Sequence, residues 1–120
     1  MKNIKELIRI VKRLRSPDGC EWDKKQTHET LVPYLLEETY EVIEAIENNN
    51  YESLKEELGD LLLHIVFQAE LAEEKNKFSI KDSIDSVNEK LIHRHPHVFE
   101  NNQNKSWDKG NWEFQKQKEK

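Results

Sequence analysis

The sequence predicts an all-α fold, and three observations predict it. Apolar residues recur at three- and four-residue spacings through most of the chain, the signature of helical faces. Only three Gly and three Pro interrupt 120 residues, and 36% of them are charged, as long amphipathic helices require. No alternating stretch marks a strand. The length suits a single domain, expected to span 1–120.

The first helix is expected from Asn3 to about Arg15, where Ile4, Leu7, Ile8, Val11 and Leu14 share one face. Ser16-Pro17-Asp18-Gly19 breaks it with turn chemistry, and the loop is expected to continue through Cys20, Glu21, Trp22 and Asp23. A second helix begins near Thr27 or Thr30, either an N-cap, with Pro33 in its first turn, and ends at Asn48-Asn49-Asn50. The third, from about Tyr51 to Glu74, is the most apolar and is expected to be largely buried. Its Leu63, Val66 and Phe67 point away from Leu58, Leu62 and Ile65, and two short amphipathic helices cannot cover both faces, so self-association through Leu63 and Phe67 is expected. Ser79 and Asp82 open a fourth helix with Ile80, Ile84, Val87 and Leu91 as its stripe, stopped at His95-Pro96. Residues 100–110 read as a flexible linker to a short helix over 111–120 that carries Trp112 and Lys116.

Composition narrows the function. A net charge of −5 disfavours duplex nucleic acid as a partner. No apolar run approaches the roughly 20 residues a membrane helix needs, and the N-terminus lacks a signal peptide's apolar stretch, so a cytoplasmic location is expected. The single Cys20 rules out an internal disulfide framework and a zinc ribbon.

Chemistry enters where acids interrupt apolar faces. On the second helix Glu38 falls inside the arc of Leu31, Tyr34, Leu35, Val42, Ala45 and Ile46, with Glu41 at its edge. On the third, Glu57, Asp60, His64 and Gln68 form a narrow polar stripe. Antiparallel packing of the two helices would converge Glu38, Glu41, Glu57 and Asp60. Unpaired carboxylates are costly to bury, so such a set requires a cation, and hard ions such as Mg²⁺ accept a few carboxylates while keeping positions for phosphate oxygens. A ferritin-like di-iron site is disfavoured because no His follows a Glu by three residues. His93, His95 and His97 around Pro96 read as a helix cap, with a transition-metal cluster the weaker alternative.

The segment Glu37-Glu38-Thr39-Tyr40-Glu41 followed by Glu57-Leu58-Gly59-Asp60 resembles the EExxE…ExxD signature of the MazG-type all-α nucleoside triphosphate pyrophosphohydrolases. Arg15 to Asp23, Thr27-His28, Pro33-Tyr34, Glu56 to Leu62 and His95-Pro96-His97-Val98-Phe99 extend the resemblance over nearly the whole chain. It implies a MazG-like helical bundle, completed by homodimerisation or higher assembly, that hydrolyses nucleoside triphosphates to monophosphate and pyrophosphate. It also implies a catalytic centre of Glu38, Glu41, Glu57 and Asp60 holding Mg²⁺, with Mn²⁺ a substitute. Lys90 and Arg94 fall where family members contact the triphosphate, and Trp112 with Lys116 resembles a pair that closes over the nucleotide. Glu21 stands where Pro is usual between Cys and Trp, and His93 where an Arg commonly precedes Arg94. The HPHVF segment resembles the first copy of two-copy members, whose second copy is the one associated with catalysis. A catalytically silent helical interaction module is therefore the rival reading.

Overall fold

The computed structural model describes residues 3–99, and these are helical throughout, with no strand among them. The elements are α1 (Ile4–Leu14), α2 (Glu21–Lys24), α3 (Val32–Glu47), α4 (Tyr51–Glu74), α5 (Ile80–Arg94) and α6 (Pro96–Phe99). The chain divides into two compact units, Met1–Ile80 and Lys81–Lys120. The linker and C-terminal helix expected over 100–120 lie outside the described residues.

In the first unit, α1 starts at Asn3, whose side chain accepts from Lys5 N at 2.9 Å and satisfies one of the unpaired amides of the first turn. It ends where the chain reverses over Gly19. A Cβ there would collide with the carbonyls of Arg13 and Leu14, because Cys20 N must reach Leu14 O at 2.8 Å. The expected loop through 20–23 instead forms a one-turn helix, since Lys24 N and Lys25 N close bonds back to Cys20 O and Trp22 O.

Neither Thr27 nor Thr30 caps α3. Each serves a separate turn, in which Thr27 Oγ1 accepts from Thr30 N and Thr30 Oγ1 accepts from Thr27 N. The cap position goes to Leu31, without a side-chain bond, and Pro33 sits in the first turn as expected. The α3–α4 reversal uses the Asn triplet. Asn49 takes a left-handed conformation (φ 53°), Asn50 N reaches Ala45 O at 3.0 Å, and the Asn50 side chain caps α4 by accepting from Ser53 N. Asn76 (φ 59°) ends α4 in the same way.

Both α3 and α1 pack on α4. The core is Val11, Leu31, Val66, Phe67 and Leu71, bordered by Ile4, Leu7, Ile8 and Leu63. This corrects two expectations. Only the second half of α4 is buried, and the face covered is the one expected to be bare: Val66 and Phe67 are 2% and 4% exposed because α1 and the turn before α3 close over them. Leu58, Leu62 and Ile65 are the exposed residues, at 49%, 38% and 46%. On α3, Val32, Leu36, Tyr40, Ile43 and Ile46 are also exposed, so Ile46 and Tyr34 leave the expected buried arc.

In the second unit, α5 carries its predicted stripe with no buried residue, Ile84, Val87 and Leu91 all being exposed. It stops where expected. His95 donates from Nδ1 to Leu91 O at 2.7 Å, and Pro96 starts α6, a single helical turn.

Candidate metal centre

The α3–α4 hairpin brings Glu38, Glu41 and Glu57 together, each offering a carboxylate oxygen within 4.8 Å of the others. Helical spacing explains it. Glu38 and Glu41 are three residues apart on the face that α3 turns to α4, and Glu57 lies two turns into α4, opposite them. Glu38 Oε2 and Glu57 Oε2 are buried without a hydrogen-bond partner. Asp60, one turn beyond Glu57, is exposed and stands outside this group of three, although its charge reaches Glu38. A cavity of about 330 Å³ opens beside the cluster, lined by Glu41, Glu44, Asn48, Ser53 and Glu57.

Electrostatics records the crowding. The Glu57 carboxyl is pushed up to about 7, first by its contact with the Glu41 carboxylate, then by desolvation and the negative charges of Glu41 and Glu38. Glu38 is also raised, chiefly by desolvation and then by the charge of Glu41. Like charges this close cannot all ionise without a counter-charge, and no Lys or Arg forms an ion pair with the three among the described residues. Orphaned carboxylate oxygens of this kind fit an oxygen-seeking divalent cation. Among the described residues this is the one group of three or more side chains suited to a metal. The His95 and His97 rings lie 5.6 Å apart, and His95 acts as the cap expected of it.

Sequence reasoning missed an aromatic ledge beside the acids. Tyr34, one turn before Glu38, lies nearly parallel to His64, one turn after Asp60, with ring centroids 6.4 Å apart and planes 7° from parallel. Trp22 from α2 meets Tyr34 edge-on at 5.8 Å, and both Trp22 and Tyr34 keep exposed surface. Burial pushes the His64 imidazole down against the opposing pull of Asp60, and its Nδ1 is buried without a partner. The signal in the sequence was the placement of Tyr34 and His64 four residues from acids of the set. Trp22 gave none, because its approach depends on the unforeseen α2.

Of the remaining expected residues, Lys90 and Arg94 lie one turn apart on α5 in the second unit, and Trp112 and Lys116 lie outside the described residues.

The family model of the MazG nucleotide pyrophosphohydrolase domain matches residues 26–99, which contain the whole carboxylate set. This chain belongs to the MazG family. It is 62% identical over 94 residues to the nucleoside triphosphate pyrophosphohydrolase/pyrophosphatase MazG of Thermotoga maritima, covering 78% of this chain and 37% of that protein. It is 49% identical over 100 residues to the nucleoside triphosphate pyrophosphohydrolase of Escherichia coli K12, covering 82% and 38%. The crystal structure of a mazG-related protein from Thermotoga maritima superposes with a TM-score of 0.74 at 30% identity, over 97% of this chain and 99% of that one. This MazG chain thus spans less than two fifths of the length of the two sequence relatives. No helix of the described residues is long and apolar enough to cross a membrane.

Proposed function

We propose that this MazG domain is a Mg²⁺-dependent pyrophosphohydrolase that converts a nucleoside or deoxynucleoside triphosphate and water to the monophosphate and pyrophosphate. The observation that carries the reading is the carboxylate group with two buried, unpartnered oxygens, in a chain whose relatives are named for that activity. Glu38, Glu41 and Glu57 hold the ion, Asp60 joins them from the next turn of α4, and Mn²⁺ can substitute. When bound, the ion supplies positive charge that offsets the triphosphate and draws electrons from the α-phosphorus. The chain's own groups do the rest. Glu57, which keeps a proton near neutral pH when crowded by its neighbours, releases it as the site fills. Glu37 or Glu38 takes the proton of the attacking water. Lys90 and Arg94, with Trp112 and Lys116, are the groups we assign to the triphosphate and the departing pyrophosphate.

The ledge of Trp22, Tyr34 and His64 suits a nucleobase. Four residues of helix separate Tyr34 from Glu38, about 6 Å of axial rise, which a sugar between phosphate and base can span. Aromatic faces stack on any base, so the ledge fits removal of varied, excess or modified nucleotides in the cytoplasm. The exposed apolar stripes of α3 and α4 suit a second copy of the chain, in a homodimer or larger assembly.

The test is a panel of standard and modified triphosphates with Mg²⁺, scored for monophosphate and pyrophosphate. Glu41→Gln should lower turnover on the order of a hundredfold and abolish the rise in melting temperature that Mg²⁺ gives the parent protein. Release of inorganic phosphate would overturn the assigned bond cleavage. Assembly without hydrolysis of any member of the panel would establish the interaction module instead.

A further inference from the structure

The residue that ties the end of α2, next to Trp22, back to the rest of the hairpin lies on neither α3 nor α4: it is Arg15, which ends α1. The Arg15 guanidinium, only 11% exposed, makes a two-pronged ion pair with Glu74, Nε to Oε2 at 2.6 Å and Nη2 to Oε1 at 2.8 Å. Its remaining nitrogen, Nη1, donates to Asp23 O at 2.5 Å and to Gln26 O at 3.3 Å. These carbonyls end α2 and begin the turn after it, and Asp23 O takes the guanidinium in addition to the Gln26 N–H at 3.3 Å. The guanidinium carbon Cζ sits 5.6 Å from the Phe67 ring centroid, over that ring. Arg15 therefore joins α1, the end of α2 and the C-terminal turn of α4 at one half-buried point. Trp22 is the residue immediately before Asp23.

A second clasp acts on the same segment. His28 and Gln68 pair twice, His28 Nδ1 with Gln68 Oε1 at 2.5 Å and Gln68 Nε2 donating to His28 O at 3.2 Å. Gln68 lies one turn beyond His64, so the turn after α2 is fixed to the helix that carries the ledge's inner ring. Between the two clasps, the backbone from 22 to 28 has little freedom to shift relative to α4.

We infer that Arg15 is a positioning residue for the nucleobase: by fixing the end of α2 it sets Trp22 against Tyr34, and so sets the affinity of the site for the base without touching the phosphates. This rests on the aromatic ledge proposed above. Lysine cannot replace it. One ammonium can satisfy Glu74 or the α2 carbonyls, whereas the planar fork serves both in fixed directions. Glu74 belongs only to the α1–α4 tie, because Nη1 keeps its two carbonyls without it.

The experiment compares the affinities of the full chain, with Mg²⁺, for an α,β-methylene nucleoside triphosphate and for inorganic triphosphate, which has no base. Arg15→Lys should weaken nucleotide binding about tenfold, the scale of one lost stacking contact, and leave inorganic triphosphate within about twofold. Trp22→Ala should do the same, and the double variant should bind no worse than Trp22→Ala alone, since both act through one ring. Glu74→Gln should lower the melting temperature while keeping both affinities, which separates positioning from general stability. Equal losses for both ligands in Arg15→Lys, or additive losses in the double variant, would overturn the inference. A Trp22→Ala variant that binds both ligands as the parent does would remove the ledge itself, and with it the role of Arg15. A parent that binds neither ligand would remove the nucleotide reading as well.

Discussion

At Glu57 the carboxyl is held at about 7 against an ordinary value of 4.5, by crowding with Glu41 and Glu38. The folded chain therefore keeps a proton that the unfolded chain has lost between those two values. The contribution of Glu57 to stability is greatest below 4.5 and falls as pH rises to about 7. Thermal melts without divalent cation should show this fall, Glu57→Gln should flatten it, and saturating Mg²⁺ should remove it because the ion takes the proton's place. A pH-independent melting temperature in the metal-free parent would mean that the three acids relax apart. Gly59 lies between Leu58 and Asp60 in mid-helix, and a Cβ there would meet nothing within 4 Å. Gly59→Ala should then raise stability by about 0.5–1 kcal/mol through helix propensity alone. A loss of stability or of assembly in that variant would show that another element closes on this spot. The convergence of Glu38, Glu41 and Glu57 was legible in the sequence because acids set against the apolar faces of two antiparallel helices come together when those faces pack. Asp60 shares the stripe of Glu57 but lies one turn further along α4, and a stripe alone does not tell how far along it the facing acids of α3 reach.

At the scale of elements, α4 has two faces of similar apolarity, and the sequence could not say which one α1 would choose. The pattern of α1 fits either. What decides is the short reversal over Gly19 together with the Arg15–Glu74 and Lys12–Glu70 ion pairs, which tie α1 along the second half of α4. Lys12 Nζ lies 2.8 Å from Glu70, a carboxylate only 8% exposed, so this contact also satisfies an acid that burial would otherwise penalise. These are long-range pairings of surface-type residues, which periodicity does not register. Helix ends were more legible: the Asn triplet and His95-Pro96 stop their helices where predicted, because left-handed backbone and a missing amide are local properties. The Thr27 and Thr30 caps failed because the two hydroxyls pair with each other's backbone amides. With the covered face established, Phe67→Ala should cost about 3–5 kcal/mol of stability in denaturant melts, and Ile65→Ala no more than about 0.5 kcal/mol in a monomer. Similar costs at the two positions would mean that Ile65 is also covered in solution.

At the scale of the molecule, that last comparison bears on assembly. Val32, Leu36, Ile43 and Ile46 on α3, and Leu58, Leu62 and Ile65 on α4, recur at helical spacings and remain exposed. Each helix of the hairpin thus presents a second apolar stripe besides the one it buries, as a two-helix half of a bundle does. The chain is too polar overall, with mean hydropathy −0.97, for this apolar exposure to be a general property of its surface. A seam through Leu63 and Phe67 is ruled out, because Phe67 belongs to the core and Leu63 packs against it, so that charging them would unfold the chain; the pairing we propose uses the exposed stripes instead. Leu62→Lys and Leu36→Lys are the informative variants. Each should leave the circular dichroism of the helices intact and raise the dissociation constant of the assembly at least about tenfold, because an unpaired ammonium would be buried against the partner. Activity should fall in step if the opposed hairpin supports the carboxylates, and should persist if each hairpin works alone. Sedimentation of the parent as a monomer at micromolar concentration, with both lysine variants unchanged, would refute pairing through this face and leave the stripes to other parts of the chain.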